Sequence, residues 1–112
     1  MAPPFQITTN VARVLRALLE DPAGDHYGYA LMKASGLKSG ALYPILARLE
    51  AAEWIEGHRE IVDEADAGRP ARRYYVLTTD GAVHARQALA ELHQAIGYTG
   101  LPVQPRPAGG VA

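Results

Sequence analysis

The sequence contains no cysteine, which excludes disulfide bonds, thiolate metal ligands and cysteine nucleophiles. It also contains no apolar run near the ~20 residues that a membrane-spanning helix requires. Residues 1–5 show neither the basic nor the apolar stretch of a secretion signal. We therefore expect a soluble, cytoplasmic protein with no membrane partner.

An excess of basic residues is missing as well, since the formal net charge is −1. The charges are unevenly distributed, however. Residues 26–49 contain three basic side chains and no carboxylate, residues 69–73 contain three arginines, and acids crowd into residues 50–66. Because the Debye length at physiological salt is only ~8 Å, attraction to phosphate is local. Two basic patches on one face can therefore bind a nucleic acid even on a nearly neutral molecule.

Motifs for catalysis or metal binding are also missing. The histidines lack metal-ligand spacing, and the acidic residues 63–66 lack the register of a calcium loop. Residues 36–40 hold two glycines but are too short for a phosphate-binding loop, and no local Ser-His-Asp motif is present. We predict no enzymatic activity, no cofactor and no metal site. The histidines are His26, His58, His84 and His93.

The length of 112 residues and the hydrophobic content of 48% predict one compact domain. A first helix is predicted over residues 9–20, with Thr8 or Thr9 as its N-cap. Its apolar residues recur at the spacing of a core-facing helical stripe. They are Val11, Val14, Leu15, Leu18 and Leu19.

Two further helices are predicted close together. The second runs from Tyr27 to Gly36 with Asp25 as its cap, and the third opens at Ser39 as N-cap, so that its first N–H groups can face an anion. Pro44 removes one hydrogen bond about one turn into the third helix. The buried stripe of that helix is Leu42, Ile45, Leu46 and Leu49. This spacing predicts a helix-turn-helix whose second helix enters the major groove of DNA.

The second half of the chain predicts a wing and a last helix. Residues 54–62 and 72–77 read as strands joined by the polar loop 63–70, and one of the alternating pair Tyr74 and Tyr75 packs beneath them. A helix capped by Thr78 or Thr79 follows. The predicted fold is mostly α with a small β-hairpin: a winged helix-turn-helix over 9–78 plus a C-terminal dimerisation helix over 79–97. Residues 1–8 are expected to be a flexible lead and 98–112 a disordered tail.

Three motifs in this sequence resemble the PadR family of bacterial transcriptional repressors. They are Tyr27-Gly28-Tyr29, then Gly40-Ala41-Leu42-Tyr43-Pro44 followed by Leu49-Glu50, and Gly68-Arg69-Pro70 leading into Arg73-Tyr74-Tyr75-Val76-Leu77-Thr78-Thr79-Asp80-Gly81. The resemblance covers residues 9–97. It implies a homodimeric winged-helix protein that binds DNA, usually a repressor released by a small ligand. The short length and single last helix resemble the smaller subfamily, in which that helix mediates dimerisation.

The predicted DNA-binding residues lie on the second and third helices and at the wing. Tyr43 is expected to stack on sugar or touch a thymine methyl, and Arg48 to reach phosphate. The wing arginines suit a minor groove, but Arg72 and Arg73 must point to opposite faces, so only one of them faces DNA. The full set is Tyr27, Lys33, Lys38, Ser39, Gly40, Ala41, Tyr43, Pro44, Arg48, Arg69, Arg72 and Arg73.

The last helix carries a narrow apolar seam that suits one partner helix. The predicted dimerisation residues are Ala82, Ala85, Leu89, Leu92 and Ile96. A cleft between the last and first helices of a dimer could hold a small hydrophobic effector. Its predicted lining is Phe5, Val11, Leu15, Leu89, Leu92, Ile96 and Tyr98. A closed interface without room for a ligand is the alternative. The competing function is a winged-helix module for protein–protein interaction, which the acidic wing permits.

Overall fold

A computed structural model describes residues 3–98, with side chains to residue 96. The predicted tail from residue 99 onward and the side chain of Tyr98 lie outside the described residues. The elements in chain order are α1 (Thr9–Leu19), β1 (His26–Tyr27), α2 (Gly28–Ser35), α3 (Ser39–Ala51), β2 (Ile55–Arg59), α4 (Glu64–Ala67), β3 (Arg73–Leu77) and α5 (Thr79–Tyr98). None of the described helices is both long and apolar enough to cross a membrane.

The first three helices enclose the core with the predicted stripes. Thr8 caps α1 by accepting a hydrogen bond from the Val11 N–H at 3.2 Å. The buried side chains of α1 meet those of α3, because each helix places its apolar residues on one face. The fully buried members are Val11, Val14, Leu15, Leu18, Leu42, Leu46 and Leu49. The predicted helix stripes are confirmed, apart from Leu19, which is only half-buried.

The corner between α2 and α3 depends on Gly36. Its φ of 76° lies in the left-handed region, which glycine adopts without steric penalty, and its N–H bonds the Met32 carbonyl at 2.9 Å. The buried Ser35 hydroxyl accepts a hydrogen bond from the Leu37 N–H at 3.2 Å. The three residues between α2 and α3 are therefore held by one backbone and one side-chain hydrogen bond. This corner fixes the angle at which α3 leaves α2.

The predicted caps of α2 and α3 are wrong. Tyr27, not Asp25, occupies the N-cap position of α2, and it makes no side-chain cap hydrogen bond. Lys38 occupies the N-cap position of α3, again without such a bond, and Ser39 is the first helical residue. The cause at α2 is tertiary, because His26 and Tyr27 are held in extended conformation by pairing with β3.

The predicted hairpin is two strands of a three-stranded antiparallel sheet with the order β1-β3-β2. In β1, His26 pairs with Tyr75 and Tyr27 with Tyr74. Strands β2 and β3 pair from Ile55↔Leu77 to Arg59↔Arg73, so both are shorter than predicted. Strand β1 has two residues, too few to show the alternation that marks a strand in sequence. The sheet ties the start of α2 to the wing.

The polar loop predicted over residues 63–70 contains regular structure. It contains α4, whose first turn is capped by Asp63, which accepts the N–H groups of Ala65 at 3.0 Å and Asp66 at 3.4 Å. Glu64 accepts the Ala71 N–H at 2.9 Å. Acids of the wing therefore satisfy backbone donors of the loop.

The last helix begins against the base of the wing and packs on the core. Thr78 caps it by accepting the Gly81 N–H at 2.8 Å. Ala85 is fully buried and Ala88 nearly so, so the first half of α5 faces the core of its own chain rather than a partner. Phe5 and Ile7, in the predicted flexible lead, also pack against the core.

Candidate nucleic-acid interface

Helix α3 presents an exposed, basic face opposite its buried stripe. Lys38, Ser39, Gly40 and Pro44 are exposed, as is Arg48 in the last turn. Tyr43 is 44% exposed. Lys38 and Arg48 take part in none of the ion pairs found among residues 3–98, so both cations remain available to an anionic partner.

The start of α3 adds backbone donors to this face. The N–H groups of Ala41 and Leu42 both bond the Lys38 carbonyl, at 3.0 and 2.9 Å. No side chain caps the helix, so the N–H groups of the first residues, Ser39 and Gly40, point outward. Together with the helix dipole and the Lys38 ammonium group, they suit a phosphate.

Tyr43 lies against the start of α2, where Gly28 leaves room for it. A Cβ atom on Gly28 would collide with the Tyr43 hydroxyl and would lie 3.0 Å from its Cζ. Gly28 of the Tyr-Gly-Tyr motif and Tyr43 of the Leu-Tyr-Pro motif therefore pack against each other. That contact fixes the direction in which the Tyr43 ring leaves α3.

An aromatic stack runs from α2 across β1 to the wing. The ring of Tyr27 lies 5.6 Å from that of Tyr29 and 5.5 Å from that of Tyr74, and His58 stacks on Tyr74 at 5.5 Å. The guanidinium of Arg72 lies 5.3 Å from the centre of the Tyr29 ring. Because Tyr29 is 59% exposed, this aromatic–cation pair faces solvent.

Glu60 holds the wing to this stack. Its Oε1 accepts hydrogen bonds from Arg69 Nη1 at 2.7 Å and from the Arg72 backbone N–H at 2.9 Å. The hydrogen bonds from Arg69 and Arg72 lower the pKa of Glu60 from 4.5 to about 2. The same carboxylate raises the pKa of both Tyr27 and Arg69.

These contacts separate the three wing arginines that sequence alone left equivalent. Arg69 is bound by Glu60, and Arg73 Nη2 bonds Glu50 at 2.7 Å while its guanidinium lies over Tyr75. Only the Arg72 side chain has no carboxylate partner among residues 3–98. The structure therefore places Arg72 against Tyr29 of α2, and Arg69 and Arg73 in internal ion pairs.

The remaining predicted DNA-binding residues are distributed around the same region. Lys33 is exposed on α2, whereas Ala41 is half-buried and packs against the core. Tyr27 is also half-buried, within the stack. Sequence reasoning missed Tyr29 and Glu60. The Tyr-Gly-Tyr triplet was the available signal for Tyr29, whereas an isolated Glu just beyond β2 carried none.

A groove of about 570 Å³ lies at the base of the wing, between α3, β2 and α5. Trp54 forms its floor and stacks on His84 at 5.4 Å and against Phe5 at 4.9 Å. The polar residues around it are Glu50, Glu53, Glu56, His58 and Asp80. Within residues 3–98, no group of three or more His, Asp or Glu side chains is arranged to hold a metal ion.

The predicted effector cleft is not assembled within one chain. Val11 and Leu15 are fully buried in the core, so neither can line an open cleft, and Phe5 packs on Trp54 instead. Leu89 and Leu92 are half-buried on α5, and Ile96 is 42% exposed. Of the predicted dimerisation residues, Ala85 is buried in its own core, and Ala82 is half-buried against it.

Helices α2 and α3 meet at a fixed corner, α3 presents a basic face, and a small sheet lies beside them. These features define the winged helix-turn-helix class of DNA-binding proteins. Residues 14–87 match the family model described as the transcriptional regulator PadR-like family. The chain belongs to this family and is a DNA-binding transcriptional regulator. A comparison with curated proteins gave no match.

Several solved structures share the fold. A PadR family transcription regulator from Clostridium difficile R20291 is 23% identical with a TM-score of 0.59, over 82% of this chain and 98% of that one. BpsR of Bordetella bronchiseptica is 21% identical with a TM-score of 0.65, over 96% and 76%. The circadian clock associated protein Pex from Anabaena is 27% identical with a TM-score of 0.55, over 87% and 86%. The first two likenesses establish the fold alone.

Proposed function

We propose that this protein is a homodimeric repressor that binds a palindromic operator, with α3 of each protomer in the major groove. The observation that carries the proposal is the exposed face of α3. It combines an oriented aromatic ring, Tyr43, with two cations, Lys38 and Arg48, that pair with no carboxylate in the part of the chain that the structure describes. Lys38 and the first N–H groups of α3 contact phosphate, and Tyr43 contacts base edges or sugar.

The wing lies on the adjacent backbone or minor groove. Arg72 is the cation that reaches DNA from it, because its guanidinium lies over the exposed Tyr29 ring and has no carboxylate partner among residues 3–98. Arg69 and Arg73 serve instead as internal ion-pair partners of Glu60 and Glu50. Two of the wing carboxylates, Glu60 and Glu64, are paired with Arg69 and Arg59, which reduces their repulsion of phosphate.

The dimer forms through the second half of α5. The first half of this helix is buried against its own core, so Leu89, Leu92 and Ile96 provide the apolar surface for a partner helix. Two recognition helices must lie about one DNA turn apart, ~34 Å, to read both halves of a palindrome. A pair of long, rigid helices can hold that separation.

A small effector is the least constrained part of the proposal. DNA binding by BpsR, which shares this fold, is regulated by 6-hydroxynicotinic acid. In this chain an effector cleft would involve Phe5 and the partner-facing residues Leu89, Leu92 and Ile96, since Val11 and Leu15 are in the core. Titration of planar aromatic compounds, followed by Trp54 fluorescence and operator release, tests it. No response across such a panel would exclude this cleft as an effector site.

The experiment that tests DNA recognition is a footprint of the purified protein on its own upstream region, followed by affinity against salt concentration. Lys38→Ala and Arg48→Ala should each flatten the slope of log affinity against log salt by about one unit. Arg13→Ala, which removes an exposed cation from α1, is the matched control and should leave the slope unchanged. Tyr43→Ala should change preference among operators. Absence of any salt-sensitive retention on DNA would favour the protein-interaction module instead.

A further inference from the structure

Glu60 joins the part of the wing that approaches DNA to the helix-turn-helix. Its side chain is 13% exposed, although it belongs to the exposed wing. It receives hydrogen bonds from Arg69 in the wing loop and from the backbone of Arg72, and it raises the pKa of Tyr27 at the start of α2. These hydrogen bonds fix the position of residues 69–72, which lead into β3.

We propose that Glu60 is a positioning residue of the DNA-binding surface, and that it places Arg72 over Tyr29 so that these two side chains contact DNA as one unit. The proposal rests on the DNA-binding function proposed above. Tyr29 is thereby added to the DNA-contacting residues. Glu60 itself acts only through the residues it holds.

The contacts between Glu60 and the recognition helix are continuous. The Glu60 carboxylate raises the pKa of Tyr27, whose ring lies 5.6 Å from that of Tyr29, and the intervening Gly28 receives Tyr43 of α3. The Arg72 backbone N–H is fixed at 2.9 Å from Glu60, which limits where its side chain can go. A guanidinium stacked on an aromatic ring keeps its N–H groups directed outward in one plane. The pair is therefore ordered before DNA arrives.

Charge alone predicts the opposite role for Glu60. A carboxylate near a phosphate backbone repels it, and Glu60 also neutralises Arg69, which could otherwise pair with phosphate. If these effects dominated, removal of the charge would strengthen DNA binding and make it more dependent on salt. Positioning of Arg72 predicts weaker binding instead, so the sign of the change separates the two roles.

The test compares Glu60→Gln with Glu56→Gln in affinity for the footprinted operator. Glu56 lies on β2, just before Glu60, is exposed, and pairs with His58 at 3.3 Å, so its variant removes an equal charge without touching the hydrogen bonds that Glu60 accepts. We expect Glu60→Gln to bind roughly tenfold more weakly than Glu56→Gln, since the hydrogen bonds that hold Arg69 and Arg72 weaken when their acceptor becomes neutral. Equal affinities, or stronger binding by Glu60→Gln with a steeper salt slope, would overturn the proposal.

A double-mutant cycle with Arg72→Ala separates positioning from general loss of structure. If Glu60 acts through Arg72, Glu60→Gln should have little further effect on affinity in the Arg72→Ala background. Additive losses would contradict the proposal. Tyr29→Ala should weaken operator binding and also abolish most of the Glu60→Gln effect.

Thermal unfolding at neutral pH shows whether each variant is folded at the assay temperature. If Glu60→Gln is not, Tyr27→Phe replaces it, because that change removes only the hydroxyl whose pKa Glu60 raises and should weaken binding in the same direction. Unchanged affinity of Tyr27→Phe would then count against the proposal. Failure of the proposed function is distinguishable, since the unmodified protein would then show no operator preference at all.

Discussion

Gly28→Ala is expected to damage DNA recognition while leaving the fold intact. Gly28 opens α2, and its missing side chain is the space in which the Tyr43 hydroxyl lies. An added methyl group would collide with that hydroxyl and lie within 3.0 Å of Cζ and 3.4 Å of Cε1. The obstacle is the far end of a side chain that is 44% exposed, so the ring can swing outward and the backbone need not move.

The substitution should affect stability and operator affinity in opposite directions. Alanine in a helix is favoured over glycine by roughly 0.5–1 kcal/mol, so the melting temperature should stay level or rise. Displacement of Tyr43 removes a contact to DNA, and a well-placed contact to a base contributes about 1–3 kcal/mol. Operator affinity should therefore fall by a factor on the order of 5 to 150, with binding to random DNA nearly unchanged.

The assay is operator and random-sequence binding of Gly28→Ala, Tyr43→Ala and the double variant, with thermal unfolding of each. If Gly28 matters only because it accommodates Tyr43, the glycine substitution should have almost no effect on affinity once Tyr43 is alanine. A full additional loss in the double variant would refute the reasoning. So would a marked fall in melting temperature for Gly28→Ala alone, since it would show that the backbone is displaced.

Three other outcomes are expected. Gly81→Ala should destabilise the fold by about 2–4 kcal/mol in denaturant unfolding, because the new Cβ meets the Trp54 backbone carbonyl. Gly40→Ala, with nothing within 4 Å, should change stability little. Leu92→Glu should convert the dimer to monomer in sedimentation at micromolar concentration, since burial of one such side chain contributes ~1.5–3 kcal/mol; an unmodified protein that already sediments as a monomer would contradict the dimer. Because the folded pKa of Glu60, about 2, lies below its ordinary 4.5, its stabilisation is present above pH 4.5 and is lost as pH falls toward 2. The difference in free energy of unfolding between the unmodified protein and Glu60→Gln should therefore shrink across that pH window. A difference that stays constant with pH would contradict the lowered pKa of Glu60.

The helices and the class of protein could be predicted from the sequence. Apolar residues at helical spacing in α1 and α3 mark their buried faces whatever the rest of the fold does, because only one face of each helix can be removed from water. Gly36 marks the corner between α2 and α3, since a left-handed residue is needed there. The basic residues 33–48, free of acids, identify the exposed face, and the Leu-Tyr-Pro element identifies the family.

Only the tertiary structure decided which side chains are available at that face. Three arginines within five residues look alike in sequence, but Glu60 and Glu50, nine and twenty-three residues away from their partners, engage Arg69 and Arg73 and leave Arg72. Ala85 fits a partner-facing seam by spacing, yet the packing of α5 on α1 buries it, because period alone does not say which apolar surface a helix meets first. Strand β1 forms for the same kind of reason: two residues have no pattern of their own, and the edge of β3 supplies the hydrogen bonds that make them a strand.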